Sequence, residues 1–150
     1  MINQMLSGQP INLTYTPDPA HSVTANLPNF LGGVAPRPNL VGDPNLSSGQ
    51  TIDAYFNKAN VALPSASNPF GNAGRNIARA NSFFQADFGI QKSFRLPRES
   101  TRIEFRTEMF NAFNHTNFGP ANGNFSSGAF GTIRSTFPAR QVQMAVKLVF

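Results

Sequence analysis

The sequence predicts an all-β protein of antiparallel strands, the section of a transmembrane β-barrel, and three observations lead there. The residues from Val142 to Phe150 alternate side chains without a break, so Val142, Met144, Val146, Leu148 and Phe150 form one apolar stripe, with Gln143, Ala145 and Lys147 on the opposite face. Three further segments of about ten residues repeat the period-two alternation expected of barrel strands. The 150 residues include 12 Gly and 12 Pro with only 13% charged, a mixture poor in helix formers and rich in turn chemistry.

The first strand is expected around Gln9 to Thr16, where Ile11, Leu13 and Tyr15 oppose Asn12, Thr14 and Thr16. Residues 17–82 follow as a long excursion dense in Pro, Gly, Asn and Ser, far longer than an ordinary connection, and they are expected to be a surface loop or small cap, the more mobile part of the chain. Within it, Ile52 to Asn57 is expected to form one or two helical turns packed through Tyr55 and Phe56. The second strand is expected from Phe83 to Phe94, with Phe84, Ala86, Phe88 and Ile90 opposing Gln85, Asp87, Gly89 and Gln91. In the third, Arg102, Glu104, Arg106 and Glu108 alternate with Ile103, Phe105, Thr107 and Met109; a helix would scatter those four charges around its circumference, whereas a strand keeps them on one face. The fourth strand begins near Arg140.

Connection lengths carry the same message. The segment from Leu96 to Thr101 between the second and third strands is short, while residues 17–82 and 114–139 are long. Outer-membrane barrels have short periplasmic turns and long extracellular loops, which makes residues 17–82 an extracellular loop and sets Phe150 at the periplasmic rim. Phe105, Val146 and Leu148 are then expected to face lipid, and Arg106, Glu108 and Lys147 to face the lumen. Barrels need at least about eight strands to close, so four strands imply a fragment of a larger barrel, with Met1 expected to be an internal methionine. No basic start followed by an apolar core marks a signal peptide near Met1.

Other chemistries find little footing. There is no cysteine, so neither a disulfide framework nor a thiolate metal site is possible. His21 and His115 lie in loops without carboxylates at metal-ligand spacing, and the expectation is no metal, no cofactor and no enzymatic activity. Arg102, Glu104, Arg106 and Glu108 read as a lumen-facing charge ladder and not as a paired-carboxylate site, because each acid is flanked by an arginine; facing a watery or plug-filled interior, the charges are expected to pair with neighbouring strands. The net charge of +5 is spread along the chain without a basic run, so no nucleic-acid partner is expected. Gly71-Asn72-Ala73-Gly74-Arg75 lacks the Lys-Ser/Thr ending of a phosphate loop.

Several motifs together carry a family resemblance. Arg37-Pro38-Asn39, Gly42-Asp43-Pro44, Gly71-Asn72-Ala73-Gly74-Arg75-Asn76, the run from Phe105 to Phe118 with its Glu-Met-Phe-Asn-Ala-Phe-Asn-His-Thr-Asn-Phe core, and Phe130-Gly131-Thr132-Ile133 resemble the carboxyl-terminal end of TonB-dependent receptor barrels, of the Oar-like type that carries a carboxypeptidase-regulatory-like domain. The resemblance covers nearly the whole chain. It implies an outer-membrane protein of a Gram-negative type bacterium that binds or imports a large extracellular substrate, with the lipid bilayer, the remaining barrel and plug, and TonB as partners, the last reached through regions that would precede Met1. It also implies that Met144, Val146, Leu148 and Phe150 act as the signal read by the barrel assembly machinery. The competing expectation is a secreted or surface-attached β-rich protein, glycan-binding or adhesin-like, which membrane partitioning separates from the first.

Overall fold

Sustained alternation produces the three longest strands. The computed structural model describes residues 1–17, 36–65, 70–97 and 101–150. In chain order the strands are β1 (Ile2–Leu6), β2 (Pro10–Ile11), β3 (Asn39–Leu40), β4 (Val61–Ala62), β5 (Ala78–Arg79), β6 (Phe83–Arg95), β7 (Arg102–Phe110) and β8 (Gln141–Val149), with a 3-10 turn at Lys58–Asn60 and no α-helix among the described residues. The all-β antiparallel expectation holds. Among the described residues no helix is long and apolar enough to cross a membrane.

The chain divides into two compact units. The first joins residues 1–7, 82–118 and 136–150, and it is a four-stranded antiparallel sheet ordered β1-β6-β7-β8. Its register places Phe94 opposite Ile103 and Ile103 opposite Leu148, with Phe88, Met109 and Val142 aligned at the far end. The turn from β6 to β7 is closed by the Leu96 N–H donating to the Thr101 carbonyl at 2.9 Å. β1 and β8 are the two edges and do not pair with each other.

The expected first strand is corrected. The sheet strand beside β6 is Ile2–Leu6, paired with Phe83 to Asp87, whereas residues 9–16 belong to the second unit, residues 8–81 and 119–135. Their alternation is real, since Ile11, Leu13 and Tyr15 are buried, but it serves a local core. Period two identifies an extended segment with one buried face and does not say which partner buries it. β1 carries no such pattern and is exposed along its whole length.

The second unit gives local structure to the described part of residues 17–82, expected as a surface loop or small cap. Its described part contains β3 paired with β4, and β5 paired with β2. A cluster of Ile11, Leu13, Tyr55, Phe56, Val61, Ala78, Ala121 and Phe130 forms its core, with Leu13 wholly buried. Residues 119–135 complete it: Tyr55 N–H donates to the Gly131 carbonyl at 2.8 Å, Ile133 N–H to the Ile52 carbonyl at 2.7 Å, and Thr14 forms a parallel bridge with Asn124. Tyr55 and Phe56 are packing anchors as expected, in edge-to-face contact at 5.3 Å, but residues 52–57 are not helical. The helical turn comes immediately after, where the Asn57 side chain caps it by accepting from Ala59 N–H.

Candidate functional site: a two-faced barrel wall

In an antiparallel ladder, residues directly opposite share a face, so register alone sorts the side chains of the sheet. One face carries Phe88, Ile90, Lys92 and Phe94 of β6, Ile103, Phe105, Thr107 and Met109 of β7, and Val142, Met144, Val146 and Leu148 of β8. The other carries Gly89, Gln91, Ser93 and Arg95, then Arg102, Glu104, Arg106 and Glu108, then Gln143, Ala145, Lys147 and Val149. The stripe and the charge ladder read from sequence therefore lie on opposite faces of one sheet, Phe105 and Val146 on the first and Arg106, Glu108 and Lys147 on the second.

The apolar face is open. Met144 and Val146 are 71% and 69% exposed and Phe150 is 94% exposed. A contiguous apolar surface of this kind is rare on a protein bathed in water, and hydrocarbon is the solvent that suits it. Strand lengths agree, since β7 and β8 have nine residues each and a tilted membrane strand needs about nine to eleven. Aromatic side chains stand toward both ends of this face. Phe94 lies at the short-turn end, and at the other end Phe84 and Phe88 both pack on Phe113, with ring centroids 6.2 and 5.9 Å apart. That distribution matches the paired aromatic girdles of membrane barrels.

On the polar face the ion pairs run along β7 and not, as expected, between strands. Arg102 Nε pairs with Glu104 Oε1 at 2.8 Å, and Arg106 pairs with Glu108. Residues two apart on a strand point the same way, and that spacing brings each arginine to its acid. Glu104 also stands opposite Lys147 and Ser93 in the register. A shallow recess of about 250 Å³ opens beside Arg106, Glu108, Gln143, Met144 and Ala145. Among the described residues no cluster of His, Asp or Glu is arranged to hold a metal ion.

The Asn-rich motif after β7 has a structural role that sequence reasoning missed. Asn111 and Asn114 adopt left-handed backbone conformations, φ 50° and 52°, which asparagine tolerates better than most residues. Asn111 N–H donates to Asp87 Oδ1 at 2.9 Å, and its buried side chain accepts from His115 N–H while donating to the carbonyls of His115 and Pro138. Asn114 Oδ1 accepts from Arg140 N–H, just before β8. Asn117 pairs with both backbone groups of Phe84. The His115 ring packs edge-on against Phe84 at 5.6 Å, and its Nδ1 lies 3.2 Å from Asn117 Oδ1. His21 lies outside the described residues. The signal available in the sequence was the spacing of three asparagines at 111, 114 and 117, too regular for a solvated loop.

The remaining family-like motifs gather in the second unit, where each closes a backbone contact. Asn72 Oδ1 accepts from Leu40 N–H at 2.6 Å while its Nδ2 donates to the Leu40 carbonyl at 3.1 Å, and Asn39 Oδ1 accepts from Asn72 N–H. At Gly71 a Cβ would fall 1.8 Å from the Arg37 carbonyl oxygen, so only glycine allows that approach. Asp43 accepts from Asn45 N–H and Nδ2, and these bonds hold its carboxyl below the usual aspartate value. Phe130 enters the core and Gly131 turns with φ 74°. Asn39, Asn72, Asp43 and Phe130 thus build a scaffold.

The family model described as "Outer membrane beta barrel domain" matches residues 1–143. No curated protein and no solved structure matches the chain.

Proposed function

The chain belongs to the outer membrane beta barrel domain family, and from an outer-membrane barrel wall we propose the carboxyl-terminal section of a TonB-dependent receptor of the Oar-like type, binding or importing an extracellular substrate. The observation that carries this reading is the two-faced sheet: one face presents half-buried Phe105 with exposed Met144, Val146 and Leu148, and the opposite face presents Arg102, Glu104, Arg106 and Glu108, a division that suits lipid on one side and a watery or plug-filled lumen on the other. The motifs shared with that receptor type, from Arg37-Pro38-Asn39 to Phe130-Gly131-Thr132-Ile133, support the finer assignment.

In this reading the chain contributes wall and loop, and no chemistry of bond making. The short Leu96–Thr101 turn lies on the periplasmic side. The chain passes into the second unit after Ser7 and again after Phe118, and returns to the sheet unit at Ser82 and at Thr136. The remaining barrel and plug, and TonB acting through them, are the partners, and the barrel assembly machinery reads Met144, Val146, Leu148 and Phe150.

Site-specific crosslinking of the intact parent protein to TonB in outer membranes tests the proposal. A crosslink that disappears when the plug is deleted is the expected result. A barrel with no TonB crosslink that passes solutes without an energised inner membrane would assign a passive pore instead.

A further inference from the structure

A single cation interrupts the apolar face. Among the described positions that share it on β6, β7 and β8, Lys92 is the one charged residue, opposite Phe105, which is itself opposite Val146. Among the described residues the acids on or beside these strands, Asp87, Glu104 and Glu108, alternate onto the other face. Its Nζ lies 5.2 Å from the ring centroid of Phe94, one alternation nearer the short turn. The ammonium is thereby carried along the strand to the last apolar row before Leu96 and Pro97, the row of Phe94, Ile103 and Leu148.

A lysine whose stem lies on a lipid-facing surface reaches for the interface, and an aromatic ring prefers the same depth. We propose that Lys92 and Phe94 form a lipid headgroup site, in which the ammonium binds the phosphate of an anionic phospholipid in the leaflet on the short-turn side while the Phe94 ring packs beneath it. The site rests on the reading that this face meets lipid. Charge complementarity selects the occupant: one cation with no acidic partner among the described residues, fronted by hydrocarbon-compatible side chains on both neighbouring positions, matches a phosphodiester carried on acyl chains.

The test uses the intact parent protein, purified in detergent and titrated with phosphatidylglycerol, the lipid retained being counted by native mass spectrometry. Lys92→Gln should lower retention about fivefold, the effect of one lysine near an anionic leaflet, and Lys92→Arg should preserve it. Equal retention by Lys92→Gln and the unchanged protein overturns the site, as does displacement of the lipid by inorganic phosphate. A nitroxide attached at Val146→Cys keeps the two readings separable. Collisions with lipid-soluble oxygen place that residue in hydrocarbon, so a failed lipid titration then rejects the headgroup site alone, whereas collisions with a water-soluble relaxant reject the lipid-facing wall on which it rests.

Discussion

The side chain of Asn117 pairs with the backbone of Phe84 as a neighbouring strand would. Its Oδ1 accepts from Phe84 N–H at 2.9 Å and its Nδ2 donates to the Phe84 carbonyl at 2.7 Å. A side-chain amide has the same donor and acceptor as a peptide group, so one residue satisfies ladder groups on the edge of β6 that β7, which begins its pairing at Phe88, does not reach. Asn72 does the same for Leu40 in the second unit.

Removing that amide leaves two backbone groups without partners. Asn117→Ala is expected to destabilise the sheet by about 1–3 kcal/mol, measured as a lower urea midpoint for the intact barrel. Asn117→Asp keeps the acceptor and loses the donor, and should fall between the two. An unchanged midpoint for Asn117→Ala would show that water replaces the amide without cost.

The two faces of the wall respond differently to charge. Met144→Arg places a guanidinium among Thr107, Ile90 and the apolar stripe, and near the bilayer midplane it should cost roughly 2–4 kcal/mol. Lys147→Gln, on the polar face opposite Glu104, should be mild. Folding titrations into lipid vesicles measure both, and equal losses would count against the lipid-facing assignment.

Phe150 distinguishes an assembly signal from an anchor. Deleting it, or adding a charged tail after it, should reduce the heat-modifiable barrel recovered in outer membranes far more than Phe150→Tyr, which keeps an aromatic ring at the interface. Normal recovery of the deletion variant would leave Phe150 as one replaceable interfacial ring.

Leu13 tests whether the second unit has a folded core of its own. Its side chain is fully buried, and Leu13→Ala should cost about 2–5 kcal/mol locally. Hydrogen exchange should accelerate at the Tyr55 and Ile133 amides, which bond to Gly131 and Ile52, and remain slow in β7. Unaltered exchange at Tyr55 would mean that the core of this unit does not hold its backbone bonds.

Alkali should loosen the same unit. Burial pushes the Tyr15 and Tyr55 phenols above their ordinary value of 10.0, so the folded state prefers them neutral. With folded values raised, their contribution is complete below the unfolded value and is lost as pH rises through the folded ones. Phenolate absorbance, taken as the difference from a Tyr15→Phe, Tyr55→Phe double variant, should appear at higher pH than in a tyrosine peptide, and the lag should vanish in denaturant. Titration together with the peptide would show both rings to be wet.

What alternation along the chain determined by itself was the strands and their faces. β6, β7 and β8 appear where period two runs longest, and Phe105, Val146 and the four charges of β7 divide between faces as their spacing requires, because side-chain direction in a strand is a local property of the backbone. Partnership was decided only by the tertiary structure. Ile2–Leu6 took the place in the sheet expected for residues 9–16, Arg102 and Arg106 found their acids along their own strand, and Asn72, Asn111 and Asn117 proved to be backbone partners for residues distant in sequence. A hydrogen bond between Asn117 and Phe84 spans 33 positions, and no periodicity records it; which donor meets which acceptor is fixed when the whole chain has closed and every buried polar group must find one.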